Sequence, residues 1–273
     1  MHSFLTYLPI SLALNTGHAL DASLFRGLVS FVYVSLWAIT SAATNDFFDR
    51  VEDLGFKDNP FDEYENNAKT GLACILTLQT LSLLFSFVAA LALDTLIIFL
   101  SVFGSVVSWL YSDNTYAARM LGFRLKSHYP LEIFAIVFGY AMLFASTLAI
   151  NRVLIVEAIP LLILVALAFC RETIRKDYAQ TVKDSQAGNM TFPLFYGLGK
   201  ADRIIIGLTY ANLLSLGFFV ALGLLPFLTI LGSGWFLGEV FYRRQSYGSE
   251  HKLHLLLDLN PYFLLISVGL LLR

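Results

Sequence analysis

Apolar residues run in long blocks along this chain, separated by short polar breaks. A bilayer-spanning helix needs about 20 mostly apolar residues. Runs close to that length lie at 3–19, 25–45, 71–92, 95–112, 130–148, 154–171, 203–221, 224–242 and 257–272. The breaks between them carry charge, Pro or Gly, as at Asp94, Pro130, Asn151-Arg152 and Pro226. The pattern predicts an all-α, polytopic membrane bundle of about nine transmembrane helices, with residues 1–273 as one transmembrane domain.

Composition agrees. Of 273 residues, 57% are hydrophobic and 14% charged, against about 25% charged in an ordinary soluble domain. Mean hydropathy is +0.70. A disordered chain, a collagen-like repeat and a nucleic-acid binder are excluded on these grounds. Cys74 and Cys170 are far apart and lie in apolar runs, so neither a zinc site nor a disulfide framework is expected, and both are read as small buried side chains. No Lys or Arg precedes Arg26, so no cleaved secretory signal is expected.

Charge gives the chain an orientation. The breaks after the second, fourth, sixth and eighth runs, with the adjoining helix ends, hold 15 of the 18 Lys and Arg residues, and only Arg26, Arg152 and Arg273 lie on the other side. Cytoplasmic loops carry the excess of basic residues, so the N-terminus and the two long polar segments, 46–70 and 171–203, are expected to be cytoplasmic.

Those two segments hold the candidate chemistry. The first begins with T-N-D-F-F-D-R-V-E-D-L, in which Asn45, Asp49 and Asp53 are spaced i, i+4, i+8 and share one helix face. Two carboxylates and an amide oxygen on one stripe suit Mg²⁺, a hard ion that prefers oxygen ligands and completes its shell with water and substrate phosphates. The second reads R-E-T-I-R-K-D-Y-A-Q-T-V-K-D-S-Q-A-G-N-M-T. Asp177 and Asp184 lie two helical turns apart, among Arg171, Arg175, Lys176 and Lys183. Interleaved acids and bases fit a metal-plus-diphosphate site, with carboxylates for the cations and cations for the phosphates. One acidic stripe alone reads as a solvated helix cap. Two on the same membrane face, where acids are costly without a function, favour the site. The basic segment 111–128, with Arg124 and Lys126, could reach a phosphate, although positive-inside topology alone would also account for it.

These motifs resemble those of the UbiA superfamily of intramembrane prenyltransferases. N-D-F-F-D-R-V-E-D at 45–53 is similar to the family's N-D-x-x-D-x-x-x-D. R-E-x-x-x-K-D at 171–177, D-x-x-x-G-x-x-T at 184–191 and R-L-K at 124–126 add to the likeness. The resemblance implies a helical bundle around a central cavity, with the acidic motifs facing each other across its cytoplasmic mouth. It further implies that Mg²⁺ ions bridge the aspartates to a polyprenyl diphosphate. Carried over by position, Asn45, Asp49, Asp53, Asp177 and Asp184 would hold metal. Gln180, where the family commonly has Asp, could offer only an amide oxygen. Asp49, Asp53, Asp177 and Asp184 would then be the catalytic carboxylates. Lys126, Arg124, Lys69, Arg175, Asn45 and Tyr111 would meet the diphosphate or line the cavity.

The expected activity is Mg²⁺-dependent transfer of a prenyl group from a prenyl diphosphate to a lipophilic acceptor through an allylic carbocation. Gln180 and the absence of a basic residue from the first run leave a UbiA-type terpene cyclase, needing no acceptor, as the alternative. A transporter or lipid-binding scaffold is a third reading. It fits less well, because transporters place ionisable groups near the bilayer midplane and these acids gather at one edge.

Overall fold

A computed structural model describes residues 20–53, 59–61, 68–153, 158–234 and 266. Its helices are α1 (Leu20–Asp53), α2 (Ala68–Ala92), α3 (Leu96–Ser112), α4 (Tyr116–Leu121), α5 (Leu131–Ile150), α6 (Ile159–Ala179), α7 (Thr181–Gln186), α8 (Phe192–Tyr196) and α9 (Leu198–Ala221), with 3₁₀ turns at Leu125–Ser127 and Phe227–Ile230. No strand occurs among the described residues. Four helical stretches, Phe25–Val51, Ala68–Ala92, Leu131–Ile150 and Leu198–Ala221, are long and apolar enough to cross a membrane, and Leu96–Ser112 is a shorter apolar helix. The runs at 3–19 and 257–272 and the later part of 224–242 fall outside the described residues, apart from Ile266.

α5 is the most enclosed helix, with 56% of its apolar window buried against 22–33% in the other three spans. It packs on α1, α3 and α6, α6 packs on α9, and α2 closes against α1 and α3. The core joins Tyr33, Ile97, Phe144, Leu148, Leu164 and Leu216. Lipid is as apolar as these side chains, so close packing and internal hydrogen bonds hold such helices together. Small residues permit the approach: Ala135 and Ser146 on α5, Ser101 and Gly104 on α3. The Tyr33 hydroxyl lies 2.9 Å from both Ser101 Oγ and Ser146 Oγ, linking α1, α3 and α5. Asn212 Nδ2 donates to the Leu164 carbonyl at 3.0 Å and ties α9 to α6.

Two features of this fold position the polar end. At 1.5 Å per residue, α1 is about 51 Å long, roughly 20 Å more than a hydrocarbon core. Its surplus turns carry Asn45–Asp53. The segment 171–203, expected as a long polar loop, is instead largely helical: α6 continues to Ala179, and α7, α8 and the start of α9 follow. The end of an apolar run marks where lipid contact stops, and helical hydrogen bonding continues beyond it. Cys74 is a second correction. It is exposed on the outer face of α2, and Cys170 is half-buried, so apolar surroundings in sequence did not mean burial in the bundle.

Candidate metal and diphosphate site

The first acidic stripe sits on the surplus end of α1. Asp49 and Asp53 are 1% and 0% exposed. Asn45 Nδ2 donates to Asp49 Oδ2 at 2.8 Å, one turn along the helix. Arg124 pairs with Asp49 Oδ1 and Lys126 with Asp49 Oδ2. Both cations come from the segment between α4 and α5, and on the other side of α4 Asn114, in the turn between α3 and α4, fastens the chain to α1 by donating to the Phe48 carbonyl at 3.0 Å. Asp113, in the same turn between α3 and α4, caps α4: its Oδ1 accepts from the Thr115 amide and hydroxyl at 2.7 Å and from the Tyr116 amide at 3.1 Å. Burial pushes the Lys126 ammonium below its ordinary value, and the Asp49 charge opposes that fall. Asp53 accepts from Asn59 Nδ2 at 2.9 Å through Oδ2 and pairs with Lys183 through Oδ1.

The Lys183–Asp53 pair joins the two motifs, since Lys183 lies on α7 beside Asp184. Asp177, on the last turns of α6, is 3% exposed, and among the described residues its Oδ2 accepts no hydrogen bond. Burial raises its carboxyl to about 7, with Lys176 and Lys126 pulling down and Asp184 adding to the rise. Asp184 is buried on α7 and also raised, first by burial, with Lys126 opposing. Gly188 follows α7 with φ +73°, a left-handed conformation that suits glycine. The turn it makes brings the Asn189 amide to the Asp184 carbonyl at 2.9 Å.

The sequence-derived residues therefore divide. Asn45, Asp49, Asp53, Asp177, Asp184, Arg124 and Lys126 come to one end of the bundle. Tyr111, half-buried at the end of α3, lies in the fields of Glu132, Asp177, Asp49 and Arg124. Arg175 is buried but engaged by Glu172, with Nε 3.0 Å from Oε2. Lys69 is exposed at the start of α2, and Gln180 is exposed at the α6–α7 junction. Two participants, Asn59 and Glu132, escaped the sequence reading, and Lys183 was read only as a cation beside Asp184. Asn59 and Lys183 are partners of Asp53 that no spacing rule connects to it. Glu132 had a visible signal that was passed over: it is the one charged residue of α5, set two residues after Pro130 at the edge of an apolar run.

Among the described residues no three His, Cys, Asp or Glu side chains converge closely enough to hold an ion by themselves. Mg²⁺ needs only one or two protein carboxylates when phosphates and waters complete its shell. The oxygen-only donors and the unpartnered Asp177 Oδ2 fit that requirement.

Comparison with known proteins bears on the family and the fold. A model of the UbiA prenyltransferase family matches residues 3–260. No curated protein sequence matches the chain. Among solved structures, a UbiA homolog from Archaeoglobus fulgidus bound to GPP and Mg²⁺ aligns with a TM-score of 0.74 at 15% identity, over 99% of this chain and 96% of that one. The homolog from the same organism bound to DMAPP and Mg²⁺ gives 0.70 at 15% identity, over 98% and 96%. A digeranylgeranylglyceryl phosphate synthase gives 0.68 at 13% identity, over 99% and 92%. What these structures share with the chain is the fold.

Proposed function

The chain belongs to the UbiA prenyltransferase family, and from that premise we propose that it transfers a prenyl group from a prenyl diphosphate to a lipophilic acceptor within the membrane. One transmembrane domain over residues 1–273 carries the activity, with its acidic end cytoplasmic. The observation that carries the proposal is the meeting of two acidic helix ends at one buried, cation-rich place, joined by Lys183 and Asp53 and flanked by Arg124 and Lys126 on Asp49. The homologs named above bind Mg²⁺ with GPP or DMAPP, and the oxygen donors here fit the same class of ligand.

Asp49, Asp53, Asp177 and Asp184, with Asn45, would hold Mg²⁺, which when bound offsets charge on the departing diphosphate. Lys126 and Arg124 are the buried cations nearest that place and would bind diphosphate oxygens. Arg gives a planar fork of donors and Lys a point charge, so together they orient the leaving group. Tyr111 lies at the boundary between these charges and the apolar interior. Gln180 and Lys69 are exposed and stand outside the set. On the apolar side Phe48 packs edge-on against Trp109 with centroids 5.5 Å apart, next to Asp49. Such walls exclude water from an electron-poor allylic centre, and an aromatic face adds about 0.5–2 kcal/mol of attraction to a cation.

The test is a product assay on membranes with several prenyl diphosphates, with and without acceptors. Diphosphate release that depends on acceptor supports the transferase. A cyclic hydrocarbon formed without acceptor would replace it with the cyclase reading. Asp49→Asn and Asp184→Asn should each lower turnover by about 100-fold or more; full activity in either would remove the site from consideration.

A further inference from the structure

We infer that Glu132 is an additional acidic ligand of the cation–diphosphate site, presented to Asp177 from the first turn of α5. The inference rests on the functional reading above and extends it to a residue outside both acidic motifs.

Glu132 is 3% exposed, and its Oε2 has no hydrogen-bond partner among the described residues. A carboxyl this enclosed and this poorly bonded is expensive to keep, and the local structure gives no other use for it. It does not cap α5, whose N-cap is Pro130 and makes no side-chain cap bond. The charges that act on it are Asp177, Lys176, Asp184 and Lys126, two acids and one cation of the second motif together with the lysine that pairs with Asp49. Asp177 shares its condition: its Oδ2 is likewise buried and without a hydrogen-bond partner among the described residues. Two orphaned carboxylate oxygens in one basic surrounding are what a divalent cation would satisfy.

The backbone explains how Glu132 arrives there. Residues 127–129 are strapped to the end of the second motif: the Met190 amide donates to the Ser127 carbonyl and the Tyr129 amide to the Met190 carbonyl, both at 2.9 Å. The Tyr129 ring then packs edge-on against Phe192 with centroids 5.0 Å apart. Lys126 leaves one end of this strap toward Asp49. Glu132, whose amide donates to the His128 carbonyl at 3.1 Å, follows the other end, within the field of Asp177. The first turn of a helix also favours negative charge. One short segment thus serves both acidic motifs. Gln180, the neutral member of the second motif, is exposed, and Glu132 adds a third buried acid to that end of the bundle; among the described residues no three acids close on one point, so diphosphate oxygens and water would complete the shell of an ion held there.

The experiment measures Mn²⁺ binding to the full-length protein in detergent, with inorganic diphosphate present, from the electron paramagnetic resonance signal of the free ion. Glu132→Gln keeps the shape and removes the charge; it should weaken Mn²⁺ binding about tenfold or more while leaving the melting temperature without metal unlowered. Glu132→Asp keeps the charge on a shorter arm and should fall between Gln and the parent. Asp184→Asn is the control. If Asp184→Asn weakens binding and both Glu132 variants match the parent, this inference is overturned and the proposed function stands. If Asp184→Asn also matches the parent, the proposed function fails as well. Should Glu132→Gln not accumulate in membranes, the Asp variant alone decides: parental Mn²⁺ affinity overturns the inference, and a several-fold loss supports it.

Discussion

Asp49 gathers Asn45, Arg124 and Lys126 onto two carboxylate oxygens, and at the scale of single residues this convergence has measurable effects. Lys126→Met removes one charged hydrogen bond, worth about 1.5–3 kcal/mol. It should raise the KM for prenyl diphosphate about 10- to 100-fold with a smaller effect on kcat, as read from steady-state kinetics. Asp177 adds a dependence on pH. Burial, with Asp184, lifts its carboxyl from 3.8 to about 7 against the pull of Lys176 and Lys126. The folded chain therefore holds a proton that the unfolded chain has released. This group's contribution to stability without metal weakens as pH rises from about 4 to about 7, then levels. Mg²⁺ must displace the same proton, so its apparent affinity should rise by up to about tenfold per pH unit below 7 and flatten above. Mg²⁺ titrations of turnover between pH 5.5 and 8 would check this, and a flat profile would count against Asp177 as a ligand. The residues on α1 were legible because i, i+4, i+8 is a rule of helix geometry. Their partners were not, since Lys126 stands 77 positions from Asp49 and Lys183 stands 130 from Asp53; only the fold brings such pairs together.

Between residue and molecule stand the helices, and their contact surfaces are tight where the site needs support. A Cβ on Gly71 of α2 would lie 2.5 Å from Phe47 Cε2. The Phe47 ring has little room to retreat: it packs against Phe48 and Phe61 with centroids 5.2 and 5.6 Å away, and the Arg50 guanidinium sits 4.3 Å from its centre. Gly71→Ala should therefore cost about 1–3 kcal/mol, seen as a lower melting temperature in detergent. It should also reduce turnover, because Phe47 and Phe48 directly precede Asp49 in α1. The sequence placed α2, α3 and α5 within a few residues of their observed bounds, since apolar runs between charged or Pro-bearing breaks report a span well. It misjudged α6 and the segment after it. R-E-T-I-R-K-D-Y-A is polar but rich in helix-forming residues, and hydropathy alone cannot separate such a helix from a loop.

For the molecule as a whole, the membrane class was legible from charge depletion alone. The sidedness inferred from 15 of 18 basic residues has a direct test. With Cys74 and Cys170 replaced by Ser, Ser185→Cys and Arg152→Cys place single thiols at opposite ends of the bundle, each exposed. A membrane-impermeant maleimide added to intact cells should label the Arg152 position and spare the Ser185 position until the membrane is opened. The reverse pattern would invert the orientation. The mutual neutralisation of Asp49 by Arg124 and Lys126, and of Asp53 by Lys183, has one more consequence. Many metalloproteins fall apart when stripped by a chelator, because their acidic ligands repel one another once bare. Here the lysines and arginine already stand in as counter-ions for Asp49 and Asp53, so EDTA should silence the enzyme while lowering its melting temperature by only a few degrees through loss of bound-ion stabilisation, and added magnesium should restore activity without refolding.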